Sequence, residues 1–105
     1  MADIMKILQQ AQEMQGRLQQ VQDDLAQMTV RAAAGGGMVS VEADGRGQLR
    51  KVSIDPSVVN PADVEMLEDL ILVAVSEAQK KAAALAQDEM TKLAGGLQLP
   101  FKLPF

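Results

Sequence analysis

The sequence predicts an α+β fold: a long N-terminal helix, a three-stranded antiparallel sheet and a long C-terminal helix. Three observations carry that prediction. Apolar residues recur at heptad spacing over the first thirty positions. The middle alternates apolar and polar residues in short runs broken by glycine. A second long apolar stripe follows Asn60-Pro61.

The first stripe is Ile4, Ile7, Ala11, Met14, Leu18, Val21, Leu25 and Met28, in steps of 3, 4, 3, 4, 3, 4 and 3. Glutamine, a good helix former, fills many positions between them. A helix is expected from Asp3 to Met28, with Asp3 as N-cap or first-turn anion. The sheet follows. Thr29 to Ala34 is read as a strand ended by Gly35-Gly36-Gly37. Met38 to Ala43 places Val39, Val41 and Ala43 on one face. Asp44-Gly45-Arg46-Gly47 is a hairpin turn signal. Gln48 to Ile54 is the third strand, with Val52 and Ile54 sharing a face. One face of so small a sheet must be covered.

Asn60 and Pro61 are expected as N-cap and first helical residue of the last helix, which ends near Leu93. Asp63, Glu65, Glu68 and Asp69 crowd its first turns, where the helix dipole favours anions. Some 32 residues give a length of about 48 Å, whereas a globule of this size has a radius of gyration of about 13 Å. The helices must therefore protrude, pair with each other or pair with a second copy. The apolar face around Leu67, Leu70, Ile71, Val73, Ala74 and Val75 exceeds what one small sheet needs. Soluble monomers rarely expose such a patch, so a homodimer sharing this region is expected. Residues 1–94 read as one domain and 95–105 as a tail carrying both phenylalanines and a repeated Leu-Pro-Phe.

Composition removes whole classes of function. The 105 residues include no Cys, His, Trp or Tyr. No disulfide framework, thiol nucleophile or Cys-ligated zinc site is possible. The usual general base and commonest metal ligand are also missing. No enzyme, cofactor or small-molecule substrate is expected. The first thirty residues hold no apolar block of signal-peptide length, and Leu70 to Val75 is far too short to span a bilayer. A cytoplasmic protein without membrane contact is expected.

The chain resembles the YbaB/EbfC family of bacterial nucleoid-associated proteins over essentially its whole length. The resemblance rests on Lys6 to Met14, Val52-Ser53-Ile54-Asp55-Pro56, Glu65 to Leu70 and the ending Gln98 to Phe105, in that order. It implies a homodimer with helical arms compared to tweezers. It implies binding of double-stranded DNA with little or modest sequence preference, and a role in nucleoid organisation and gene expression. The family's DNA contacts have no compact signature, and Arg31 to Gly37 is unusually poor in polar side chains.

Candidate DNA contacts are therefore read from charge placement. The net charge is −4, from 14 acids and 10 bases, which counts against nucleic acid as a partner. The distribution counts for it. Lys6, Arg17 and Arg31 lie along or just after the first helix. Arg46, Arg50 and Lys51 occupy a stretch without acids, and Lys80, Lys81 and Lys92 lie in the distal half of the last helix. Any one of these is ordinarily a solvated surface charge. Lys80, Lys81, Lys92, Lys6 and Arg17 are favoured because they sit on protruding elements. Four to six neutralised phosphates would give a salt slope of about −4 to −5.

Glu65, Glu68 and Asp69 share a helix face, but the dipole accounts for them and no metal site is expected. Gly35-Gly36-Gly37 is no phosphate loop, because a strand follows it. Met5, Met14, Met28, Met66 and Met90 are read as core filler. The rival reading is a coiled-coil scaffold that binds protein partners through its seams and Leu-Pro-Phe tail.

Overall fold

The structure is a computed structural model and describes residues 2–96, with side chains described from 3 to 95. Helix α1 spans Ala2–Gln27, strands β1, β2 and β3 span Thr29–Ala34, Val39–Asp44 and Leu49–Ile54, and helix α2 spans Val64–Gly96. A short 3₁₀ turn at Pro56–Val58 links β3 toward α2. The sheet is an antiparallel meander in the order β1-β2-β3. Of the expected tail, 95–105, Gly95 and Gly96 belong to α2 and residues 97–105 lie outside the described residues.

Each expected element is present, with shifted ends. Asp3 falls in the first turn of α1, as an anion beside the helix dipole. The start of α2 differs from expectation. Asn60 does not cap it: its side chain accepts from the Ala62 amide at 2.9 Å and closes a turn. Asp63 caps the helix instead, accepting from the Met66 amide at 3.3 Å. The helix also continues three residues beyond Leu93, to Gly96.

The core forms where α2 lies across β1 and β2. Ala32 and Ala34 of β1, Val39, Val41 and Ala43 of β2, and Ala74 and Ala78 of α2 are buried together. Alanine on both sides lets helix and sheet approach closely, which accounts for the few polar side chains from Arg31 to Gly37. Gly35, Gly36 and Gly37 turn the chain at φ of 63°, 67° and 96°, a region that L side chains rarely adopt. Full burial of Val39 and Val41 is worth about 1.5–3 kcal/mol each.

Helix α2 packs over β1 and β2 rather than over β3. Every residue of that strand is exposed, although the register sets Val52 beside buried Val41 and Ile54 beside buried Val39. A bulge between Glu42 and Ala43 adds Arg50 to the β3 side and brings Leu49 opposite Ala43. Leu49, Val52 and Ile54 therefore continue the α2-facing side of the sheet, uncovered.

The two helices form an arm. Leu25 of α1 is buried beside Ala82 of α2, and Met14, Leu18 and Val21 are half-buried, as are Leu85, Met90 and Leu93. The molecule measures 72 × 22 × 17 Å with a radius of gyration of 19.8 Å. That is well above the roughly 13 Å of a compact domain of this length. Met5 and Met66 are exposed rather than core filler, because Met5 lies on the far end of the arm and Met66 on the solvent side of α2.

Candidate nucleic-acid interface

The nine candidate cations fall into three groups by what holds them. Arg50 is structural. Its guanidinium donates to the Ala26 carbonyl at the end of α1 and lies 3.9 Å from the Asp44 carboxylate. The last carbonyls of a helix lack intrahelical partners, and a cation there also suits the dipole. Asp44 is buried and accepts from the amides of Arg46 and Gln48 at 2.9 and 3.0 Å, fixing the β2–β3 turn. Arg46 is thereby presented at the tip of that turn.

Four cations have specific partners on the surface. Arg31 pairs with Glu42 at 2.9 Å across β1 and β2. Lys81 donates to the Arg31 carbonyl at 2.7 Å. Lys80 and Lys92 pair with Glu77 and Glu89 at 3.6 and 3.5 Å, one helical turn away. Such exposed pairs are worth about 0–1 kcal/mol and open readily toward a phosphate.

Lys6, Arg17, Arg46 and Lys51 have no carboxylate within 4.0 Å among the described residues. Lys51 lies on the exposed sheet face turned away from α2. Lys6 and Arg17 stand eleven residues apart, three turns of α1, so they share one face about 16 Å apart. Lys81 and Lys92 repeat this spacing on α2. About 16 Å corresponds to roughly five base steps along one strand of a duplex. Glu13 and Asp88 interrupt the two faces, so each is a pair of separated positive points rather than a continuous stripe.

The six residues expected at a dimer contact divide. Ala74 is buried within this chain, and Leu67, Leu70, Ile71 and Val75 are half-buried against its own sheet. Gln79 reaches the Gly47 carbonyl at 3.4 Å in the β2–β3 turn. Val75 and Ile71, one and two turns before it, thus lie on the flank nearer β3. Lys81 reaches β1 instead, so Val73, two turns before it and half exposed, lies on the opposite flank. The uncovered β3 residues Leu49, Val52 and Ile54 were not among the expected contacts. The shared face of Val52 and Ile54 is the signal that points to them.

Among the described residues, no group of acids could hold a metal ion and no helix is long and apolar enough to cross a membrane. An extended arm with spaced cations and a sheet with one bare apolar strand are features of a protein that binds through exposed surfaces.

The comparisons agree with that class. The model of the YbaB/EbfC DNA-binding family matches residues 1–97. A nucleoid-associated protein of Gemmatimonas aurantiaca is 56% identical over 103 residues, covering 98% of this chain and 99% of its own. A nucleoid-associated protein of Rhodospirillum centenum is 47% identical over 107 residues, covering both chains fully, at 100% each. The crystal structure of an uncharacterized protein from Helicobacter pylori shares the fold, with a TM-score of 0.70 at 23% identity, over 87% of this chain and 91% of that one. The chain belongs to the YbaB/EbfC DNA-binding family. That family is one of DNA-binding proteins and not of enzymes.

Proposed function

We propose that this protein binds duplex DNA as a homodimer, with little or modest sequence preference, and acts in nucleoid organisation and gene expression. Membership of a DNA-binding family, joined to an arm bearing cations at three-turn spacing, is the observation that carries the reading. Contacts of Lys and Arg with phosphates position a protein on DNA without reading sequence. Lys6 and Arg17 on α1, with Lys80, Lys81 and Lys92 on α2, serve as those contacts. The arms lack aromatic residues, so stacking on unpaired bases is not part of the mechanism. The relatives are named nucleoid-associated proteins, which supports the nucleoid as the site of action.

The dimer forms over β3. Leu49, Val52 and Ile54 offer an apolar face that continues the core of the sheet, flanked by Ile71 and Val75. A second copy covers it and also pairs the exposed strand edge, which is otherwise open to non-specific association. Two copies double the basic points and set two arms on one duplex.

The test is fluorescence anisotropy of the protein with a labelled duplex of random sequence at several salt concentrations. Saturable binding with a slope of log K against log salt of about −4 to −5 is expected. No binding at low salt would overturn the reading.

A further inference from the structure

A cleft opens where the arm joins the sheet, between α1, α2 and the turn after β2. Its volume is about 490 Å³, within the range of about 300–1,000 Å³ that small-ligand sites occupy. It exists because its walls lack side-chain bulk: Gly45 and Gly47 line it from the turn, and Ala82, Ala83 and Ala86 from α2. The polar groups that line it are Gln22 of α1, Arg46 of the turn and Gln79 of α2, and no acid is among its lining residues. The cleft is open to solvent, so it suits a group that projects from a larger body rather than a whole small molecule.

Side chains supply the donors of this cleft. The amides of the turn are already engaged: Gly45 donates to the Leu25 carbonyl, Gly47 to the Asp44 carbonyl and Arg46 to the Asp44 carboxylate. The same bonds fix the backbone beneath the Arg46 guanidinium, which has no carboxylate within 4.0 Å among the described residues. Gln79 uses one N–H of its carboxamide on the Gly47 carbonyl, at 3.4 Å, and keeps the second. One guanidinium and two carboxamides beside small apolar walls match a phosphate ester. The cation meets the charge, and the amides donate to the remaining oxygens. Lys80 stands one turn before Ala83 on α2, and Ala83 is exposed at the rim of the cleft. A strand whose phosphate meets Lys80 therefore passes the mouth of the cleft.

Resting on the DNA-binding reading above, we propose that this cleft seats one backbone phosphate of the duplex, with Arg46, Gln22 and Gln79 as its donors. The seat extends the DNA contact from the arm to its root. It also sets how deeply a duplex enters beside the arm, because the bonds of Gly45 to Leu25 and of Gln79 to Gly47 tie the turn to both helices.

Two substitutions at exposed positions test the seat in the whole chain. Arg46→Gln removes the cation, and Ala83→Leu fills the cleft with a good helix former and no change of charge. Duplex binding is read by fluorescence anisotropy and dimerisation by sedimentation equilibrium. Each variant should bind about tenfold more weakly, with unchanged dimerisation and a salt slope smaller in magnitude by about one for each seat lost. The double variant should bind no more than about twofold more weakly than either single one, since both remove the same contact. Affinity within about twofold of wild type in either single variant would overturn the proposal, as would a double variant weakened by the product of the two effects. Arg46 would then act only as a distant charge. A raised dimer dissociation constant in Ala83→Leu would also overturn it and give the cleft to the second copy. Wild-type protein that binds no duplex would overturn the DNA-binding reading itself, whereas wild-type binding with unaffected variants overturns the seat alone.

Discussion

The backbone amide of Gly45 donates to the Leu25 carbonyl at 2.8 Å, which ties the turn after β2 to the last turn of α1. The Leu25 side chain is buried against the same glycine. This contact, with Arg50 on the neighbouring Ala26 carbonyl, fixes the direction in which the arm leaves the sheet. The geometry of any DNA grip by the arms is thus set at the root, far from their tips.

Gly45→Ala should loosen that root. A Cβ at Gly45 would stand 2.8 Å from the Leu25 carbonyl oxygen and 3.1 Å from its Cα, both backbone atoms that cannot swing aside. A loss of about 1–3 kcal/mol is expected in urea unfolding. Stability equal to wild type would show that the contact is easily remade.

Arg50→Ala tests capping against DNA contact. Removing the guanidinium leaves the Ala26 carbonyl and the buried Asp44 carboxylate without a cation. Stability should fall by about 1–2 kcal/mol, while the salt slope of DNA binding stays within experimental error. A lower slope at unchanged stability would return Arg50 to the interface.

The order of elements was legible in the sequence because each is periodic. Val39, Val41 and Ala43 alternate, and all three are buried as that alternation predicts. Four things were not legible. The cap at Asp63 rather than Asn60 depends on which of two good acceptors meets the first free amides. The role of Arg50 depends on a bulge, and a bulge leaves no periodic trace. The division of Leu67 to Val75 between the chain's own sheet and solvent depends on how far α2 sits from β3, which only tertiary packing decides. Charge positions were legible, but their partners were not: Lys81 meets a carbonyl of β1 fifty residues away.

Stability should fall in acid through Asp55. The Ser57 amide, donating to it at 2.8 Å, and the Ser57 hydroxyl hold its carboxyl below the ordinary value of 3.8. A depressed folded pKa contributes stability above the unfolded value, and that contribution is lost as pH falls below 3.8 and through the folded value. Asp55→Asn keeps an acceptor for Ser57 but has no charge to titrate. Its unfolding midpoint should therefore depend less on pH in that window, and an identical dependence would remove Asp55 as a contributor.

Ile54→Asp should separate the proposed dimer. Ile54 is exposed in the single chain and lies beside buried Val39, so the monomer tolerates a carboxylate there. Burying that carboxylate against a second copy costs several kcal/mol. A rise in the dimer dissociation constant of at least about a hundredfold is expected by sedimentation equilibrium. A dimer of unchanged affinity would move the interface elsewhere.

Lys6→Glu with Arg17→Glu is the sharpest test of the arm. Neither side chain has a carboxylate partner among the described residues, and both project from an exposed helix face. Fold and dimer should be preserved, as circular dichroism and sedimentation would report. Each phosphate contact removed lowers the magnitude of the salt slope by about one, so a dimer that loses these charges in both chains should drop by about 2–4. A change in Lys81 would be harder to read, because its ammonium also holds the Arg31 carbonyl at 2.7 Å. Full affinity and slope in the Lys6 and Arg17 variant would take α1 out of the interface and leave α2 and the β2–β3 turn to carry the DNA.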